Sequence, residues 1–353
     1  MSLFLIFNVI IFIVVWKLAC VILRRGRALR IARLHSLRHR YAILIHMSFV
    51  DFPFICKLSL EFGLFRTYSI PSISRILFKS GNFPANSSKR YDDTEILVKE
   101  LFMHHVDGDR GSIALRRLNF IHSQFKINNA DYLYVLSIFV LEPLEWISRY
   151  GYRESTEPEK LAMFSVWHDI GVRMGIHEIP STIEELAAYK EAYEREHMIY
   201  SATNKEIAEL TMNLLLSEVP TFLWPIARKM AYAFMDDRLR KAMGYPKQPE
   251  WLSSLSHTIL RLHGYAVRWM PPRPLSRAVL RIPPGCPVQQ GACFDPCEIR
   301  QLLYQAYKPH HYEDGYRVHA VGAMKPGCLG DPCPGDLLLP LSECENILWD
   351  RSL

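Results

Sequence analysis

Apolar positions recur with a helical period through most of this chain, and the most telling stretch runs from Arg110 to Tyr150. Between Arg110 and Lys126, Leu115, Leu118, His122 and Phe125 follow one another at spacings of three, four and three, which places them on one face of a helix. His122 therefore occupies a position where leucine is expected. The next segment, Asp131 to Tyr150, carries Leu133, Leu136, Val140, Leu144 and Ile147 along one side and Tyr134, Ile138 and Leu141 along another. A helix apolar on nearly every side is a central, buried one. Pro143 within it removes a backbone hydrogen bond, so a kink or break is expected there, beside the carboxylate of Glu142.

Start and stop signals place further helices. Asp92 and Asp93 precede a segment from Thr94 to His104. Thr156 with Glu159 and Ser181 with Glu184 have capping-box spacing, Asn204 opens another helix, Gly244 closes one, and Trp251 to Arg268 has the period of one more. No alternating strand pair or internal repeat is found. With 49% hydrophobic residues, about 250 residues of helix enclose a large core, and the pattern predicts one all-α domain over 25–280.

Residues Leu3 to Leu23 form an apolar run broken only by Asn8 and Lys17, long enough to cross a bilayer. A cleaved signal peptide would need a charged leading region and a small-residue cleavage pattern, and neither is present. Residues 1–24 are thus expected to be a transmembrane anchor. Eight Lys and Arg residues lie between Lys17 and Arg40, and no acid occurs before Asp51. The positive-inside rule then puts the bulk of the chain in the cytosol. Subtracting those eight from 42 basic residues leaves 34 against 36 acids, so the formal +6 is a juxtamembrane feature suited to anionic lipid headgroups, and it argues against a nucleic-acid partner. The sequon at Asn86 is accordingly expected to stay unmodified.

The runs FGLFRTYSIPSIS (Phe62 to Ser74), KRYDDT (Lys89 to Thr94), RRLNFIHSQF (Arg116 to Phe125) and DYLYVLSIFVLEPLEWISRYGYR (Asp131 to Arg153) together resemble the MpaB family of fungal ER-bound oxygenases of mycophenolic acid biosynthesis. More distantly, the chain is similar to the latex-clearing rubber oxygenases. The resemblance covers roughly residues 40–280. It implies an all-helical fold, ER membrane residence, haem b, and O2-dependent cleavage of a double bond in the prenyl chain of a lipophilic meroterpenoid. In the rubber-oxygenase relatives an arginine is followed, about one long helix later, by the histidine that binds iron. Counted from Arg117, that position falls near Leu136, and leucine cannot bind iron.

The haem ligand is then expected to be another histidine, and His122 is the one whose helical position faces the core. Its bland alternative is a core histidine satisfied by a carbonyl. Arg116 and Arg117 are either solvated or ion-paired arginines, or guanidiniums that hold a haem propionate or polarise bound oxygen. Arg66 belongs to the resembling blocks as a candidate cofactor contact, with loop ordering as its alternative. The Arg90 block has helix capping as its own. Glu142 either pairs with Arg117 or acts as a base toward an allylic position. His168 and His197 are reserve ligands.

Other plans fit less well. PPGCPV around Cys286 does not supply the cysteine loop of a P450, and His105-Val106-Asp107 has only local HxD spacing for non-haem iron. The segment 281–353 is rich in Pro, Gly and Cys; Cys286, Cys293, Cys297, Cys328, Cys333 and Cys344 match no common zinc module and are expected to be thiols in a cytosolic tail. A membrane-tethered helical protein that binds an apolar lipid without redox chemistry is the rival reading.

Overall fold

The structure, a computed structural model, describes residues 2–34 and 37–274, with 298–299, 311, 316–318 and 321–322. The described chain is all-α; its one strand pairing is the two-residue antiparallel contact of Glu298–Ile299 with Tyr316–Arg317. The six tail cysteines lie outside the described residues.

Helix α1 (Ser2–Ala32) is a single helix that continues past the apolar run. Phe4–Ile31 is long and apolar enough to cross a membrane, and only 6% of its most apolar window is buried by the rest of the protein. Both polar residues inside the run are satisfied. The Asn8 amide donates to the Phe4 carbonyl at 2.8 Å, and the Lys17 ammonium lies 3.9 Å from the centroid of the Trp269 ring, a contact that gains strength where water is excluded. Not every arginine after the run is left for headgroups: Arg24 donates to the carbonyls of Val267 and Met270, and Arg27 pairs with Asp51 at 3.4 Å.

The domain proper is built around α7 (Asn129–Tyr150). Its start is fixed by Asn128, whose side chain accepts from the Asp131 amide at 2.6 Å. Helix α3 (Pro53–Thr67) packs closely along it. α8 (Glu157–Arg173) and α9 (Ile183–His197) pack on it as well. Leu133, Leu136, Val140 and Ile147 enter one core cluster, and Tyr134 and Ile138 enter a second. The helix therefore divides the core in two. The helix continues through Pro143 to Tyr150 as one element, so the expected break is absent. Gly63 permits the α3–α7 crossing: a Cβ there would lie 2.8 Å from the Ile138 methyl and 3.1 Å from Glu142 Cγ. Gly63→Ala is expected to cost about 1–3 kcal/mol through this overlap, which urea unfolding of the purified protein would read.

α2 (Arg40–Ile45), a π-helical turn over His46–Asp51, and α4 (Pro71–Lys79) complete the side next to α3. α5 spans Asn82–Met103 across a non-helical residue at Asn86. Asp92 and Asp93 are thus interior helical residues rather than caps, and Asp93 is held by Lys89 at 2.9 Å. α6 covers Asp109–Ser123. The capping box of Thr156 with Glu159 is present as expected. The second box shifts by one residue, because Thr182 accepts from the Glu185 amide at 3.1 Å. α10 begins at Ala202, two residues before Asn204. Asn204 is instead a buried hub that donates to the carbonyls of Ser69, Ile199 and Ala242. α11 (Trp224–Ala233), α12 (Asp237–Ala242) and α13 (Glu250–Arg268) close the domain, and Gly244 takes φ +69° after α12.

At the end of α5, burial pushes the His104 imidazole down to about 4, Arg110 nearby lowers it further, and Glu100 opposes both. The folded value is below the unfolded one near 6.5, so this contribution is complete above that pH and is lost as pH falls toward 4. Lowering the pH from 7 to 5 should cost about 2 kcal/mol through this residue. His104→Asn should flatten that part of the denaturant-midpoint profile.

Candidate functional site

Helices α3 to α8 and α10 enclose a cavity of about 530 Å³, within the range of small-molecule and cofactor pockets. Its wall is mostly apolar: Leu60, Leu64, Leu97, Leu118, Ile121, Val135, Leu136 and Phe139 all face it. Leu136, the position at which the resemblance places an iron ligand, is on that wall. So is His122. The helical stripe that carries leucines into the core thus carries one imidazole into an empty apolar volume.

The His122 ring touches Tyr132 edge-on with centroids 5.4 Å apart. Its Nδ1 is sealed from solvent and has no hydrogen-bond partner among the described residues. Burial, helped by the positive charge of Arg90, pushes its pKa down to about 4. The imidazole is therefore neutral at pH 7, the form that binds metal. A buried polar atom left without a partner costs about 1–3 kcal/mol; His46, His104 and His263 carry such an atom too, but of the four only His122 lines the cavity. Trp167, stacked on Phe139 with centroids 4.4 Å apart, lines the same cavity and its indole N–H is also buried and unpartnered.

Arg90 lines the cavity as well. Its guanidinium lies 6.0 Å from the Phe83 ring and makes no ion pair among the described residues. The sequence placed the Arg90 block in the family resemblance with helix capping as its alternative. The available signal was its place in the KRYDDT block, two residues before the buried pair Asp92 and Asp93. Elsewhere on the wall Glu61 accepts from the Tyr91 hydroxyl at 2.6 Å, and burial raises its carboxyl pKa against the pull of Lys57. Cys56 also faces the cavity, and burial pushes its thiol up to about 12. It is a thiol rather than a thiolate ligand.

The other expected site residues are elsewhere. Arg117 is buried, donates to the Val321 carbonyl at 2.7 Å and thereby ties α6 to the C-terminal segment. Arg116 reaches only the Ser112 carbonyl one turn back. Neither lines the cavity. Glu142 is paired, as one reading had it, but with Lys190 at 2.8 Å and the Trp146 indole at 3.0 Å rather than with Arg117. Both of its oxygens are occupied in the core, and Glu142 is not among the residues that line the cavity. Arg66 is held 2.5 Å from Glu194 and 2.5 Å from Asp236, with Glu142 at 3.9 Å. These carboxylates raise its pKa well above the usual arginine value even though burial opposes them. Arg66 and Glu142 thus join Lys190 and Glu194 in a buried ion cluster that clamps α3, α7, α9 and the start of α12. Helix spacing alone cannot reveal such tertiary partners.

His168 packs on Phe164, and His197 packs on Tyr193; neither lines the cavity. His105 and Asp107 face each other at 3.3 Å on the surface. Among the described residues no group of three His, Cys, Asp or Glu side chains could hold a metal ion.

This all-α architecture with a cavity between the resembling blocks agrees with comparison to known proteins. The profile of the family described as "ER-bound oxygenase mpaB/B'/Rubber oxygenase, catalytic domain" matches residues 75–269. The chain belongs to this family. It is 34% identical over 261 residues to ER-bound oxygenase mpaB' of Penicillium brevicompactum, covering 69% of this chain and 62% of that relative. It is 34% identical over 214 residues to ER-bound oxygenase mpaB of Penicillium roqueforti, covering 56% and 72%. Against mpaB of Penicillium brevicompactum the identity is 30% over 344 residues, covering 88% and 81%. The chain thus spans less than two thirds of the first of these relatives. The family and these relatives are named as ER-bound oxygenases, and α1 is long and apolar enough to cross a membrane.

Proposed function

We propose that this chain is a haem-dependent oxygenase of the ER membrane that uses O2 to cleave a C=C bond in the prenyl chain of a lipophilic metabolite. The observation that carries this reading is the neutral imidazole of His122 on the wall of a large apolar cavity, its Nδ1 without a hydrogen-bond partner among the described residues.

The residues present fit haem b. Among the described residues that line the cavity His122 offers the one imidazole for its iron, and a second ligand of the same kind at Leu136 is absent. Arg90, a cavity-facing guanidinium without an ion pair among the described residues, suits a propionate. When bound, haem supplies the O2 and one-electron chemistry that no side chain here can supply. The chain does the rest. Leu60, Leu97, Leu118 and Phe139 provide apolar surface that holds a prenyl chain and keeps bulk water out. Burial keeps His122 deprotonated, and Tyr132 limits how its ring can turn. The buried ion cluster holds α7 in register against α3 and α9, so the wall of the cavity stays in place.

The roles expected for Arg66, Arg116, Arg117 and Glu142 at the cofactor or substrate pass, in this reading, to Arg90 and His122. Leucine at position 136 favours the rival, an apolar-lipid carrier without redox chemistry. Incubating membranes that contain the full-length protein with a farnesylated phenol under 18O2 separates the two. The oxygenase reading expects a shortened chain carrying labelled oxygen, and recovery of intact phenol bound to the protein would contradict it.

The basic residues that follow the anchor support an orientation with the domain in the cytosol. Treating the native protein with endoglycosidase should leave its mass unchanged; a mass loss at Asn86 would place the domain in the lumen.

A further inference from the structure

Helix α13 has three faces. Leu252, Ser256, Leu260 and Gly264 are buried against the domain. Ser254, Arg261 and Arg268 form an exposed polar flank. On the third face, beside that flank, Trp251, Leu255, Ile259 and Leu262 are exposed at spacings of four, four and three, which is a continuous apolar stripe. Scattered exposed apolar residues are ordinary on a soluble surface, but a stripe of four large ones running the length of a helix needs a partner.

The same helix shows what that partner is, because its C-terminal end docks on α1 inside the membrane-spanning run. The Trp16 indole donates to the Trp269 carbonyl at 3.0 Å, and the Cys20 thiol lies 3.4 Å from the same oxygen. Lys17 sits over the Trp269 ring. Arg24, where the run ends, donates to the Val267 carbonyl at 2.7 Å. Trp16 is eight residues before Arg24, about 12 Å along the helix axis. Trp269 is therefore held below the level of the first arginine, near the depth of about 5–10 Å at which interfacial helices bury their apolar faces.

We infer that α13 is a second membrane contact, an interfacial helix whose exposed stripe is embedded at the boundary between headgroups and acyl chains of the bilayer that α1 crosses. The stripe and the anchor form one continuous lipid-facing surface, while Arg261 and Arg268 on the other flank face water or headgroups.

This placement also orients the cavity. Among the described residues that line it, the exposed side chains are Phe54, Lys57 and Arg273. The Phe54 ring packs on His263 of α13 at 4.6 Å, and Arg273 follows the end of α13 by five residues. The mouth of the cavity therefore lies beside the embedded helix, and an apolar ligand reaches it from the leaflet without crossing water. The inference rests on membrane association and on the cavity, and not on haem, so the two can fail separately.

The test is site-specific photocrosslinking of the full-length protein in phosphatidylcholine nanodiscs. Benzoylphenylalanine is placed singly at positions 54, 255, 259 and 262 and, as controls on the polar flank, at 254 and 261; all six are exposed, so folding is preserved. Intact-mass spectrometry after irradiation should show lipid adducts at 255, 259, 262 and 54 and their loss at 254 and 261. Absence of lipid adducts along the stripe, equal adducts on both flanks, or adducts to a second protein chain would each overturn the embedded helix. Adducts along the stripe with none at 54 would overturn access from the leaflet.

Discussion

Arg66→Ala is expected to destabilise the protein by about 3–5 kcal/mol and to lower its melting temperature by on the order of 10 °C. The Arg66 guanidinium meets Glu194 through two bonds of 2.6 and 2.5 Å and meets Asp236 through a third of 2.5 Å. The Glu194 side chain is 1% exposed. Without Arg66 it would keep the Tyr134 hydroxyl at 3.0 Å and Arg238 at 3.7 Å, too little to hold a fully desolvated carboxylate. Arg66→Lys should restore only part of the loss, because an ammonium cannot reproduce the two-pronged contact. Arg116→Ala, which removes one weak bond at the helix surface, should stay within about 0.5 kcal/mol. Thermal melts of the three variants in detergent check this. An Arg66→Ala protein with wild-type melting but lost cofactor binding would return Arg66 to the cofactor.

The second large effect is on His122. His122→Ala should lower haem affinity by at least about 100-fold, since even an outer partner of a ligating histidine is worth about 10–100-fold, while leaving the fold intact. The fold survives because the ring makes no side-chain hydrogen bond that its removal would break, and Nδ1 loses an unpartnered state rather than a bond. Removing a buried, unsatisfied group offsets part of the packing lost with the ring. Haem titration followed by absorbance, with a melt in parallel, separates these two consequences. Unchanged affinity in the variant would move the ligand elsewhere.

Much of this was legible in the sequence because it depends on period. The stripe Leu115, Leu118, His122, Phe125 needs only the helical repeat to predict which way the imidazole points, and α7 needs only its all-round apolarity to be placed at the centre. The run from Leu3 to Leu23 and the basic residues after it are likewise local signals. What failed depends on tertiary neighbours. Glu142 was expected either to pair with Arg117 or to act as a base, whereas its partner Lys190 lies 48 residues away on α9. Arg117 is claimed by the carbonyl of Val321, 204 residues on, which no spacing could suggest. Asp92 and Asp93 read as caps because paired acids favour helix starts, but the chain stays helical across the irregular Asn86 and carries both into its interior. Pro143 was expected to kink or break α7; the helix is continuous through it, with α3, α8 and α9 packed around it. Arg90 was undervalued because its block of polar residues also reads as a helix cap. Only the cavity shows that it faces an apolar space.

The family resemblance carried the fold further than the chemistry. Leucine at position 136 removes the expected ligand from the cavity wall, and the same wall presents His122 from the neighbouring helix. The haem reading therefore rests on this chain's own geometry.

The most direct test is the haem content of the full-length protein, purified in detergent after expression with haem supply, read by its absorption spectrum and by pyridine haemochrome. The account predicts a Soret band and close to one haem b per chain. A colourless, iron-free protein that does not take up added haem would contradict it.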